Sequence, residues 1–190
     1  MTTHILKQER PVQTLFCTGF FCLCPLPINP RNDRIFFMEI KIRSFLKTEE
    51  EDDSLHIYVD GSYDKETEEY AYGMVVVKSD DEIEEYSDKF SDPELKSMWN
   101  VAGEIMGACA AMQYAMDYEI PSITIYHDYE GIAKWPLGEW KTKKEGTKAY
   151  VDFYNEARKK VKISFKKVTG HNGDKYNNLA DKLARGALGL

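Results

Sequence analysis

A chain of 190 residues with 43% hydrophobic and 13% aromatic content can bury one substantial core, which excludes an extended disordered protein and fits one domain plus an appendage. The formal net charge of −7 argues against a polyanionic partner until its distribution is read: from Lys141 to Leu190 there are 13 Lys and Arg against 5 Asp and Glu, an excess of +8 that leaves −15 on the rest of the chain. A basic C-terminal third can meet phosphates while the acidic remainder holds cations, although any one of these lysines equally serves as a solvated face, and no run reaches the ~18 apolar residues of a membrane span.

The chain opens with a segment unlike the rest. Residues 1 to about 37, with Pro25, Pro27 and Pro30, read as a poorly ordered leader, and Met38 could be the true translation start. Cys17, Cys22 and Cys24 crowd this segment without a fourth ligand at zinc spacing, and the apolar stretch Leu15–Leu26 has neither the basic flank nor the cleavage site of a signal peptide. Glu49 to Asp53 is a charged linker, so residues 1–53 are expected to be leader and linker and residues 54–190 the folded domain. Cys109 lies among small apolar residues as a core position. With no disulfide scaffold in the body of the chain, a reducing, cytoplasmic setting is expected.

Leu55 to Asp60 alternates as a strand and runs into Gly61-Ser62. Tyr70–Lys78 and Glu82–Phe90 read as two further strands joined by Ser79-Asp80-Asp81, giving an antiparallel meander. The period then changes. Val101, Ile105, Ala108, Met112 and Ala115 recur at helical spacing in a helix that ends before Pro121. Ile123–Tyr126 is a short buried strand, Thr147–Lys160 a helix, Ile163–Val168 a fifth strand and Tyr176–Ala187 a closing helix. Strand-helix-strand units need parallel neighbours, so the fourth strand is expected beside the first in a mixed α/β layout.

Four acids occupy places where this layout can turn them inward. Asp60 and Asp128 end two strands expected to be adjacent; Glu104 shares a helix face with Ala108 and Ala111, and Asp181 stands among Leu179, Ala180, Leu183 and Ala184. An acid among small apolar residues is costly to bury unless a cation pairs with it, and such a set could hold two hard metal ions. The pattern alone leaves a plainer alternative open: among 32 acidic residues, four near apolar elements can arise by chance, and Asp60-Gly61 is also an ordinary turn signal.

The segments Val59-Asp60-Gly61-Ser62, Asn100-Val101-Ala102-Gly103-Glu104, Tyr126-His127-Asp128 and Gly170-His171-Asn172-Gly173, with Asn177 and Ala180-Asp181, resemble the type 1 ribonuclease H family, in order, from about Leu55 to Leu188. The ten-residue interval from His171 to Asp181 is the most specific part. Tyr129-Glu130-Gly131-Ile132 with Trp135 and Trp140-Lys141 is similar to bacterial members that carry an N-terminal viroplasmin-like hybrid-binding module. Ser44 to Glu50 is similar only to the end of such a module, which is here missing or degenerate.

The resemblance implies a ribonuclease H-like fold with a five-stranded mixed sheet in the order 3-2-1-4-5, flanked by helices. It implies an endonuclease that hydrolyses the RNA strand of RNA–DNA hybrids, leaves 5′-phosphate products, and uses two Mg²⁺ ions, with Mn²⁺ as a substitute. Asp60 would be the shared ligand, Glu104 and Asp128 would hold one ion and Asp181 the other, while His171, in a Gly-flanked loop, would shuttle a proton or help product leave. Gly61, Ser62, Asn100 and Glu104 are the implied readers of the 2′-OH. Asn177 adds to the site's edge or simply caps a helix. Where family members carry a basic protrusion this chain is shorter: Trp135, Trp140, Lys141, Lys143 and Lys144 remain, the Trp pair equally fitting a core, and weaker, salt-sensitive binding by a monomer is expected. The alternatives are another nuclease of the same fold and a non-catalytic hybrid-binding protein.

Overall fold

The structure is a computed structural model that describes residues 54–169 and 173–190. The expected leader, linker and cysteine cluster of residues 1–53, and His171, lie outside the described residues.

The described residues form β1 (Leu55–Tyr63), β2 (Tyr70–Val77), β3 (Ile83–Phe90), α1 (Pro93–Lys96), α2 (Asn100–Asp117), β4 (Ser122–His127), α3 (Gly131–Lys134), α4 (Glu145–Ala157), β5 (Lys162–Lys167) and α5 (Lys175–Leu188), the expected order with two short helices, α1 and α3, added. The sheet order is β3-β2-β1-β4-β5, with β1, β2 and β3 antiparallel and β1, β4 and β5 parallel. β2 is apolar almost throughout and sits inside the sheet. The edge strands β3 and β5 carry charges such as Glu85, Lys162, Lys166 and Lys167, which discourage pairing with another chain.

Two cores lie on the two faces. Ile57, Val59, Tyr72, Met74 and Ile125 pack with α2 and Tyr150 of α4 into the larger one, and Tyr58, Val75 and Tyr126 pack under Ala180 of α5 into the smaller. Alternation along β1 produces this division, because residues i and i+2 share a face.

The helix ends follow local chemistry. Asp92 caps α1 by accepting from the Glu94 N–H at 2.8 Å, with Pro93 at the first helical position; α1 and the short α3 are elements that periodicity did not suggest, since four residues are too few to show one. Asp174 caps α5 through the Tyr176 and Asn177 N–H groups, and Gly189 at φ 78° ends it. Cys109 is fully buried in α2, as its neighbours suggested.

Candidate active site

Asp60 and Glu104 come from opposite layers. By alternation Asp60 lies on the Tyr58 face of β1, the face that α5 covers, whereas Glu104 belongs to α2 on the other side. They meet because the backbones touch. A Cβ on Gly61 would lie 2.3 Å from the Glu104 amide N and 2.5 Å from the Asn100 carbonyl O; one on Gly103 would lie 2.1 Å from the Ala71 carbonyl O. With no side chain between them, the first turn of α2 rests directly on β1 and β2, and Glu104 reaches the end of the strand.

Asp128 follows the last residue of β4. The parallel register pairs Tyr58 with Tyr126, so the two residues that follow on each strand, ending at Asp60 and Asp128, run side by side. One carboxylate oxygen from each of Asp60, Glu104 and Asp128 lies within 4.8 Å of the others.

The electrostatics of this trio call for a cation. Asp60 and Glu104 are 6% and 4% exposed. Burial first, and then the charges of Asp60 and Asp128, hold the Glu104 carboxyl well above its ordinary 4.5. Glu104 Oε2 is buried without a hydrogen-bond partner, as is Oδ1 of Asn177, whose amide reaches Asp60. Asp60 is better supplied, since Oδ1 accepts from the Gly61 N–H at 2.7 Å and Oδ2 from the Asn177 amide at 3.3 Å. Crowded carboxylates with an orphaned buried oxygen are a donor set for a hard divalent ion with oxygen ligands, so these residues fit Mg²⁺ or Mn²⁺.

Asn177 is the third residue of α5 and its side chain is buried on Asp60; the side chain that caps the helix is that of Asp174. Asp181 stands one turn further along, half-buried at the margin of the Asn177–Ala180–Ala184 stripe that packs on the sheet. It is outside the trio within 4.8 Å.

Ser62 is half-buried on β1 just past Asp60, and Asn100 is exposed at the start of α2. Trp135 is half-buried and packs with Tyr129 and Trp140 at 5.7 and 5.9 Å between ring centroids. Trp140 keeps 38% of its surface exposed with Lys134 over its ring, and Lys141 and Lys143 are exposed just beyond. The Trp pair is thus divided between packing and surface. Lys144 donates to the Ser97 carbonyl O at 2.8 Å.

Three features of the site were not singled out from sequence. Tyr129 comes close enough that, after burial, the Glu104 charge also raises its phenol pKa. Glu130 bridges Lys134 and Lys167, tying the loop after β4 to the end of β5, where Asp128, Lys167, Val168 and Thr169 line an open cleft. His127 Nδ1–H donates to the Tyr129 carbonyl O at 2.9 Å, and burial lowers its pKa, which favours the neutral ring. Only the Glu130–Lys134 spacing is visible in a sequence, as an i,i+4 pair.

The RNase H family model matches residues 52–188. A ribonuclease H of Pseudoalteromonas translucida is 30% identical over 146 residues, covering 72% of this chain and 90% of the relative. A ribonuclease H of Caldicellulosiruptor saccharolyticus is 33% identical over 60 residues, and there the aligned part spans 41% of the relative, less than half its length. The crystal structure of RNase H1 from the archaeon Halobacterium salinarum superposes with a TM-score of 0.61 at 25% identity, covering 72% of this chain and 98% of that one. The N-terminal RNase H domain of a Mycobacterium tuberculosis protein shares the fold at 18% identity with a TM-score of 0.58, over 72% of this chain and 95% of that domain.

Proposed function

Because the chain belongs to the RNase H family, we propose that it is an endonuclease that hydrolyses the RNA strand of RNA–DNA hybrids with the help of divalent metal ions. The observation that carries this reading is the meeting of Asp60, Glu104 and Asp128 within 4.8 Å, two of them buried, at the ends of two parallel strands.

Asp60, Glu104 and Asp128 would hold the metal, with Asp60 shared between two ions and Asp181, one turn beyond Asn177, serving the second. When bound, two such ions activate the attacking water and stabilise the leaving oxygen of the phosphodiester, giving 5′-phosphate ends. The Asn177 amide and the Gly61 N–H hold the Asp60 carboxylate turned toward the trio. A cation held there would favour the ionised form of Glu104, because it would offset the burial and the repulsion from Asp60 and Asp128 that raise its pKa. His171 would carry a proton at the product side. Gly61, Ser62 and Asn100, around the first turn of α2, would read the 2′-OH that separates RNA from DNA. The Tyr129–Ile132 and Trp140–Lys141 motifs favour the bacterial subgroup with an N-terminal hybrid-binding module.

The test is incubation with an RNA–DNA hybrid, duplex RNA and duplex DNA, with and without Mg²⁺, for the wild type and for Asp60→Asn. Only the RNA strand of the hybrid should be cut, only with metal and only by the wild type. Cleavage of duplex DNA, or full activity in Asp60→Asn, would overturn the reading.

A further inference from the structure

Trp99 is the most exposed large apolar side chain among the described residues, at 66%, and its backbone sits at φ 53°, ψ −131°. A bulky residue in that region is strained, and such strain persists only where the surrounding chain imposes it. The residue recovers little of this by packing, because most of its surface faces water. Trp99 occupies the N-cap position of α2 through its backbone, and its side chain makes no capping bond there.

Its place in the fold is specific. Trp99 directly precedes Asn100, whose carbonyl O lies against Gly61, and it stands a little over one turn before Glu104. The basic segment before α4 closes on the same corner: Lys144 donates to the Ser97 carbonyl O at 2.8 Å, and a Cβ on Gly146 would meet Leu95 Cδ2 at 2.2 Å and Met98 Sδ at 3.0 Å. An exposed indole therefore stands at the corner where Lys144 meets the start of the helix that carries Glu104, with Lys141 and Lys143 just before Lys144 in the chain. Aromatic surface interleaved with lysines next to a phosphodiester-cleaving site complements a polyanion carrying flat bases and sugars.

We propose that Trp99 is a substrate-positioning residue, which lays its indole on the sugar–base surface of the RNA–DNA hybrid beside the cut while the neighbouring lysines hold flanking phosphates. The inference rests on the hybrid-cleaving reading above. A-like duplexes present a wide, shallow minor groove with 2′-hydroxyls and base edges, a surface that a flat ring can cover. The strained backbone holds the ring out of the protein before substrate arrives, which lowers the ordering cost of binding.

Trp99→Ala, Trp99→Phe and Trp99→Gly separate this role from a structural one. Affinity is read by anisotropy of a labelled hybrid in an Asp60→Asn background, and KM and kcat in the otherwise wild-type protein with Mg²⁺. Trp99→Ala should weaken binding and raise KM about tenfold, within the span that stacking on aromatic residues is worth, with kcat nearly unchanged. Trp99→Phe should restore most of the affinity. Trp99→Gly should bind as weakly as Trp99→Ala yet melt at a temperature equal to or above the wild type, because glycine tolerates the positive φ. Unchanged KM and affinity in a folded Trp99→Ala would overturn the proposal, as would a loss that tracks a lower Tm and is not restored by Phe. Hybrid cleavage by the wild type reports on the activity by itself, and the anisotropy arm tests Trp99 whether or not cleavage occurs.

Discussion

The Asn177 carboxamide donates to Asp60 Oδ2 at 3.3 Å, tying the last helix to the first strand across 117 positions of sequence. Removing it takes away one of the donors that orient Asp60, while the buried Asn177 Oδ1 also disappears from the site. Asn177→Ala should raise the Mg²⁺ concentration for half-maximal activity about tenfold or more, as loss of residues that orient metal ligands generally does. A Mg²⁺ titration of hybrid cleavage checks this, and an unchanged midpoint would refute it.

Glu104 sets a pH dependence whose sign is opposite to that of a paired carboxylate. Its folded pKa is raised well above 4.5 by burial and by Asp60 and Asp128, so above that pH the folded chain keeps a proton that the unfolded chain releases. Stability of the metal-free protein should therefore fall as pH rises from about 4.5 toward the folded pKa. Glu104→Gln should flatten that decline, making the metal-free variant more stable than wild type at neutral pH, and should also abolish stabilisation by Mg²⁺. Thermal melts at several pH values, with EDTA or Mg²⁺, measure both effects.

The close approach of α2 to β1 predicts a sharp difference between glycines. Gly103→Ala would put a Cβ 2.1 Å from the Ala71 carbonyl O, and Gly61→Ala one 2.3 Å from the Glu104 N; in both cases backbone must move. Each should cost about 3 kcal/mol or more and take metal-dependent activity down with it. Gly186, inside α5 with nothing within 4 Å, is the control: Gly186→Ala should raise stability by up to about 1 kcal/mol with activity intact. Urea unfolding with an activity assay on the same samples distinguishes the three.

Lys141 and Lys143 are exposed beyond Trp140, whereas Lys144 is engaged with Ser97. If the first two meet phosphates, replacing both with Ala should raise KM for the hybrid and reduce the slope of log KM against log salt by about 1 for each phosphate no longer neutralised. An unchanged slope would remove both from the interface.

The sheet was legible because its signals are local. The alternation of Leu55–Asp60, the apolar Tyr70–Lys78 run and the spacing of Val101, Ile105 and Ala108 each fix one element, and the crossover rule then puts β4 beside β1. Asp60, Glu104 and Asp128 were legible for the same reason, since each sits at a defined place on such an element. Tyr129 and Lys167 were not, because their roles depend on a loop that folds back beside Glu104 and on a bridge to Glu130, distances that no periodicity encodes. Trp99 was hidden differently: its exposure and its positive φ are properties of the α1–α2 corner, and α1 is too short to announce itself.

The bare backbone approaches at Gly61, Gly103 and Gly73, where a Cβ would lie 2.0 Å from the Ala180 carbonyl O, have a consequence for how this chain can diverge. At these points α2 and α5 touch β1 and β2 from opposite sides with no side chain between them to absorb change. The bed of carboxylates can therefore hardly drift by substitution, and a lineage must alter substrate preference elsewhere, at the corner of residues 97–100 and the segment 137–144. Variation in those two stretches, against constancy of the three glycines, is the pattern that descent from this architecture would leave.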